Sequence, residues 1–253
     1  MIAVHVSAVC RVRDGYTGRP LAPGGLLCAL DGAPCQPVRK PEGYLVLTDL
    51  VPGRHRLSLR CRGYQEEWVE LTAGEDTQEL DITMKPGPDY PFRLAVTRLE
   101  LEVLEKGAPA AGRQLWLAAP GGPELKIAQT RAEAGSTQTR LFCKGPLLPA
   151  VPGSYLIADG ADSEVVVLRA LEGETGTLAA PLLRSHGRGK LLLPAQSYHT
   201  DEAGRLSAVF REPCTVEVCT REGAPLGSLE LQEGENRRQL PERKEKKHGQ
   251  SSG

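Results

Sequence analysis

The sequence predicts an all-β protein made of two antiparallel β-sandwiches, the second interrupted by a small barrel-like insertion. Three observations predict it. Apolar residues recur with a period of two, as at Leu45 and Leu47 and again at Leu57 and Leu59, which is the spacing of half-buried strands. Turn residues interrupt the chain at short intervals, as at Asp14-Gly15, Asp31-Gly32 and Pro52-Gly53, so the segments between them are strand-sized. No long apolar stripe with a 3.6-residue period is visible, which excludes doubly wound and α/β-barrel enzymes.

The 253 residues suffice for two or three domains, since one sandwich takes about 100 residues. Aromatic residues make up 4% and apolar residues 40% of the chain, so Leu, Val and Ala must fill the core around Trp68 and Trp116. The formal net charge of −1 leaves no global field to draw in nucleic acid or an anionic membrane. Met1–Val9 is apolar without a basic leader and reads as a first strand, not a signal peptide, and no run is long enough to span a bilayer. Seven cysteines, Cys10, Cys28, Cys35, Cys61, Cys143, Cys214 and Cys219, show no CxxC spacing. An odd count without a leader predicts reduced thiols in the cytoplasm, with a cross-strand disulfide such as Cys10–Cys61 as the alternative.

The first module occupies residues 1–86. Val4–Val12 opens it, Leu26–Leu30 follows, and Cys35–Arg39, Tyr44–Thr48, Arg56–Arg60, Trp68–Leu71 and Glu79–Met84 complete seven short strands. The alternation places Tyr44, Val46 and Thr48 on one face of their strand and Leu45 and Leu47 on the other. Asp14-Gly15-Tyr16-Thr17-Gly18-Arg19-Pro20-Leu21, Glu42-Gly43-Tyr44-Leu45-Val46-Leu47-Thr48-Asp49-Leu50, Pro52-Gly53-Arg54-His55-Arg56-Leu57 and Gly63-Tyr64 together resemble the carboxypeptidase regulatory-like, or transthyretin-like, sandwich module. That resemblance implies an Ig-like two-sheet fold and, in most settings, no catalysis by the module itself.

Residues 87–92, Gly-Pro-Asp-Tyr-Pro-Phe, read as a proline-rich connector. Residues 93–127 open a second module, with Glu105–Ala110 echoing Asp14–Leu21. The counterpart of Pro41–Leu50 comes only at Thr200–Phe210, so residues 195–235 are the other half of an interrupted sandwich. Between them, residues 128–194 carry Tyr155-Leu156-Ile157, Glu164-Val165-Val166 and His186-Gly187-Arg188-Gly189. This stretch resembles a small β unit of virion and phage-tail surface proteins, which implies a barrel-like knob. Residues 236–253 read as a disordered basic tail.

None of the five histidines has metal-ligand spacing to another ligand, His199-Thr200-Asp201 near Ser197 lacks a nucleophile elbow, and the glycine pairs lack the lysine of a phosphate loop. The sequence therefore predicts no catalytic, cofactor or metal site, and no enzyme. Candidate partner contacts are Tyr16, Tyr44, Tyr64, Tyr90, Phe92 and His186. The combination of modules resembles accessory proteins of phage-tail-like contractile injection systems. That resemblance implies a noncatalytic adaptor assembled in the cytoplasm into a particle, at its baseplate, spike or cap, and contacting other protein subunits. The alternative is a carbohydrate- or surface-binding sandwich that uses strand-end aromatics on a glycan.

Overall fold

A computed structural model of the chain describes residues 5–92, 95–121, 124–144 and 152–240. It divides into two compact units, residues 1–96 with 208–211, and residues 97–207 with 212–253. In the first unit, β1 (Val6–Asp14), β2 (Leu27–Leu30), β3 (Ala33–Cys35), β4 (Val38–Lys40), β5 (Tyr44–Thr48), β6 (Gly53–Arg60), β7 (Glu67–Ala73) and β8 (Gln78–Met84) form two four-stranded sheets. Their orders are β4-β5-β1-β8 and β3-β2-β6-β7. Strand β1 pairs antiparallel with β5 but parallel with β8. The core between the sheets is Ala8, Cys10 and Val12 of β1 against Leu45, Leu47, Leu57, Leu59, Leu71, Ile82 and Met84. The period-two apolar positions of the sequence are these inward residues.

The second unit opens with β9 (Thr97–Glu105), β10 (Ala108–Pro109) and β11 (Gln114–Ala118). Strands β12 (Glu124–Ile127), β13 (Arg131–Ala132), β14 (Gln138–Lys144), β15 (Gly153–Ala158), β16 (Glu164–Glu172), β17 (Thr175–Leu178), β18 (His186–Gly187) and β19 (Leu191–His199) follow. The described strands end with β20 (Arg205–Phe210), whose second half is counted in the first unit, β21 (Cys214–Cys219), β22 (Pro225–Leu231) and β23 (Gly234–Leu240). One sandwich layer pairs β9 with β20 and, in parallel, with β23; the other runs β19-β11-β21-β22. This is the first module repeated. The neighbours β5-β1-β8 correspond to β20-β9-β23, and β2-β6-β7 correspond to β11-β21-β22.

Six strands close the inserted barrel in the order β12-β14-β17-β16-β15-β19, with β19 returning to β12. Leu125, Ile127, Leu141, Tyr155, Ile157, Val166, Leu168, Leu178 and Leu192 fill it. The barrel is not a bead on a loop. Leu191–Pro194 of β19 pairs with β15, while Ala195–His199 of the same strand pairs with β11. One strand thus serves the barrel and the sandwich layer in turn.

One expectation is corrected. Residues 236–240, read from their polarity as disordered tail, are the body of β23, aligned in parallel with Leu99–Val103. Only Asn236 and Leu240 of that segment are buried, so an edge strand with polar outward residues can carry Arg237, Arg238 and Gln239. Residues 241–253 lie outside the described residues. The proline-rich segment is hydrogen-bonded to the first sandwich where it begins: Gln65 N donates to Lys85 O at 2.8 Å, Gly87 N to Gly63 O at 2.8 Å, and Tyr64 bridges to Pro86. Lys85 itself is buried and pairs with Glu67.

The repeat extends to atoms. Leu21 N donates to Val12 O at 2.9 Å, and Ala110 N to Val103 O at 2.9 Å. Over each of these contacts sits a glycine at positive φ, Gly43 at 77° and Gly204 at 71°. A Cβ on Gly43 would lie 2.4 Å from Val12 O, and one on Gly204 would lie 2.7 Å from Val103 O. Only glycine allows the backbone to come this close in this conformation. Gly18 has the same φ sign, 72°, but open space around it. Gly18→Ala is therefore expected to cost about 1–3 kcal/mol for its conformation alone, and Gly43→Ala and Gly204→Ala distinctly more, in urea unfolding of the three variants. Equal losses at all three positions would show that the close carbonyl contributes nothing.

Candidate functional site

The motif that opens the first module builds a closed polar and aromatic cluster. Asp14, the last residue of β1, is 8% exposed. Its Oδ1 accepts from the amides of Tyr16 at 2.7 Å and Thr17 at 3.1 Å, which sets the turn. Its Oδ2 accepts from the hydroxyls of Tyr64 at 3.0 Å and Tyr90 at 2.6 Å. Burial opposes ionisation of this carboxyl, but the four donated hydrogen bonds outweigh it and its pKa falls below the ordinary value. The same contacts push Tyr90 up to about 12, burial first and Asp14 second, and raise Tyr64 as well. Around them Tyr16, Tyr64, Tyr90 and Phe92 meet edge to face or tilted, with centroids 4.7–5.8 Å apart, the geometry that aromatic quadrupoles favour. Four of the six residues expected to contact partners are thus brought together, and two of them spend their hydroxyls on Asp14.

Tyr44 stands elsewhere, on the outer face of the sheet β4-β5-β1-β8. Cross-strand register aligns Val38, Val46, Val9 and Glu79 in one row, and Lys40, Tyr44, Arg11 and Asp81 in the next. Val38 is 48% exposed, and Val46, Val9 and Tyr44 are half-buried. Arg11 donates to Asp81 at 3.0 Å. The first row is a valine stripe ending in Glu79, beside a second that is aromatic and charged.

The remaining candidate, His186, is corrected. Its side chain is 0% exposed, so it cannot touch a partner. Nδ1 lies 3.0 Å from Asp159 Oδ2 and Nε2 lies 2.8 Å from Glu164 Oε1, so each ring nitrogen faces a carboxylate, as a doubly protonated ring requires. Glu164 also accepts the amides of Leu183 at 2.9 Å and Arg184 at 3.0 Å, and Lys190 reaches Asp159 at 2.6 Å. Burial works against charge on all three groups, yet their mutual contacts prevail: His186 is raised, and Asp159 and Glu164 are lowered. The cluster ties the entry of β18 to the loop after β15 and to the start of β16. Sequence reading saw His186 without its partners because they lie 22 and 27 residues upstream.

Among the described residues no group of three or more His, Cys, Asp or Glu side chains could hold a metal ion, and no helix is long and apolar enough to cross a membrane. No protein-family model matches the sequence, and no curated protein matches it. Among solved structures, the Bacillus anthracis TIE protein aligns over 92% of this chain and 32% of its own, with 13% identity and a TM-score of 0.26. A streptococcal ancillary pilin aligns over 95% of this chain and 63% of its own, with 11% identity and a TM-score of 0.27. A variant of BcpA, the major pilin subunit of Bacillus cereus, covers 94% and 99% with 9% identity and a TM-score of 0.28. The chain spans less than two thirds of the first two proteins, and agreement at this level establishes neither common topology nor common function.

Two outcomes follow. The His186 contribution to stability is complete below the ordinary histidine value of 6.5 and is lost as pH rises through its raised folded value. Those of Glu164 and Asp159 are complete above 4.5 and 3.8 and are lost as pH falls through their lowered folded values. Unfolding midpoints should therefore peak between these limits, and His186→Ala, which strands Glu164 beneath the surface, should cost about 3–5 kcal/mol. For Asp14 the stabilisation is complete above its ordinary value of 3.8 and is lost as pH falls through its lowered folded value. Tyr90→Phe should weaken that acid dependence, read as the pH at which half the stability is gone; an unchanged acid limb would mean that Tyr90 does not hold the carboxylate.

Proposed function

We propose that this protein is a noncatalytic structural subunit that docks other proteins within a larger assembly, a phage-tail-like contractile injection particle put together in the cytoplasm. One observation carries the reading. The polar clusters at Asp14 and His186 are spent on internal partners, whereas the outer face of β4-β5-β1-β8 presents Val38, Val46 and Val9 beside Tyr44. A sheet face of this kind binds by burying area, with Tyr44 as the aromatic anchor and Lys40, Arg11 and Asp81 as a polar rim. The Asp14–Gly63 resemblance supports a module used as a scaffold, and the β-rich insertion supports a role among tail-like components.

The test is a pull-down of the tagged chain from its native host at moderate salt, with the retained proteins identified by mass spectrometry. Tube, sheath or baseplate subunits are expected, and Val38→Glu with Val46→Glu should reduce their recovery by about tenfold or more, the loss of one well-buried contact, while thermal unfolding stays close to that of the parent chain. Retention on a glycan or cell-wall matrix, with none of those subunits, would replace this reading with the carbohydrate-binding one.

A further inference from the structure

The first sandwich contains a pair of thiols that the topology sets face to face. In the hairpin of β2 and β3, Cys28 is the direct cross-strand partner of Cys35. The hairpin turns on Asp31 and Gly32, both at positive φ, 51° and 82°, the pattern of the tight two-residue turns that fix register. Leu30 then pairs with Ala33, Ala29 with Pro34, and Cys28 with Cys35. Directly opposed residues of an antiparallel pair project to the same face, and their Cα atoms lie about 4.5 or 5.5 Å apart. Both spacings fall within the roughly 4.4–6.8 Å that a disulfide spans without moving the backbone.

We propose that Cys28 and Cys35 are a reversible disulfide site, oxidised by a low-molecular-weight disulfide such as oxidised glutathione. Cys28 is 7% exposed and packs in the core, while Cys35 is half-buried on the edge strand β3, which has β2 as its partner in the sheet. The order of events follows from access. The Cys35 thiolate attacks one sulfur of the small disulfide and expels one thiolate. Cys28, having given its proton to solvent, attacks the Cys35 sulfur of the mixed disulfide and expels the second. Two electrons pass to the small disulfide, which leaves as two thiols, and the chain gains one S–S bond. Burial raises both cysteines, Cys28 to about 11, so the exchange is slow and the pair acts as a structural clasp, not a catalytic one.

The other nearby cysteines are placed differently. Cys10 lies on β1 opposite Leu45 and is 0% exposed, and Cys61 follows β6 and packs against the core from its margin. Neither is a cross-strand partner of another cysteine, so Cys28–Cys35 is the thiol pair that strand register opposes directly. Closing this bond would fix β3 to β2 just before the chain crosses to the other sheet at β4.

The test uses the full chain, incubated folded with oxidised glutathione, alkylated, and cleaved at Asp31 by Asp-N protease, which separates the two cysteines. The expected product is a pair of peptides joined through Cys28 and Cys35 and released by reduction, with a loss of two hydrogens. Cys28→Ala should instead accumulate a glutathione adduct on Cys35, and Cys35→Ala should leave Cys28 unreacted. A link between other cysteines, alkylation of both thiols after oxidation, or a persistent adduct on Cys35 in the unsubstituted chain would each overturn the assignment. The peptide map of the unsubstituted chain decides the matter even if a variant fails to fold.

Discussion

Each sandwich is held shut by a parallel pairing between its first and last strands, β1 with β8 and β9 with β23. Parallel neighbours cannot be joined by a hairpin, so the whole of each module has to be laid down between the two partners. This brings the two ends of each module side by side and leaves the interior of the connection free to vary. In the first module the passage from β2 to β5 is occupied by the short strands β3 and β4; in the second, the passage from β11 to β20 holds a complete six-stranded barrel. The entropic cost of so long a detour grows only slowly with its length.

The barrel, in turn, is built into the sandwich through β19. Because a continuous strand cannot change register without a bulge, the pairing of Leu191–Pro194 with β15 fixes where Ala195–His199 meets β11. The buried pair His186 and Glu164, joined by the part-exposed Asp159 and Lys190, sits just upstream of this shared strand. A buried ion cluster is a poor source of net stability compared with apolar packing, and its better-attested use is to fix one arrangement among several. Here it sets the loop after β15 and the entry to β19.

Much of this was legible in the sequence. Turn residues and period-two leucines mark the strands of the first module, and the echo of Asp14–Leu21 at Glu105–Ala110 reveals the repeat. The interruption shows in the late arrival of Thr200–Phe210. What was not legible depends on pairing between distant segments. β23 looks like tail because an outer strand tolerates Arg237, Arg238 and Gln239; the repeat itself was the signal, since a second copy of β1 demands a second copy of β8. Asp14 reads locally as a turn former, and only the fold brings Tyr64 and Tyr90 to it across 50 and 76 residues. His186 reads locally as a turn residue and a candidate partner contact, while its carboxylates arrive from other strands. Polar residues that look available in a sequence are consumed internally when the fold supplies partners.

The consumption of those groups is what turns attention to the outer face of β4-β5-β1-β8. Hydroxyl-radical footprinting of the chain, free and within the assembly proposed for it, tests that account most directly, because it reads side-chain access one residue at a time. Tyr44, half-buried in the free chain, should become strongly protected in the assembly, with Val38 and Val46 following it. Unchanged labelling of Tyr44, Val38 and Val46, with protection arising on other surfaces, would contradict the claim that this face is where the protein docks.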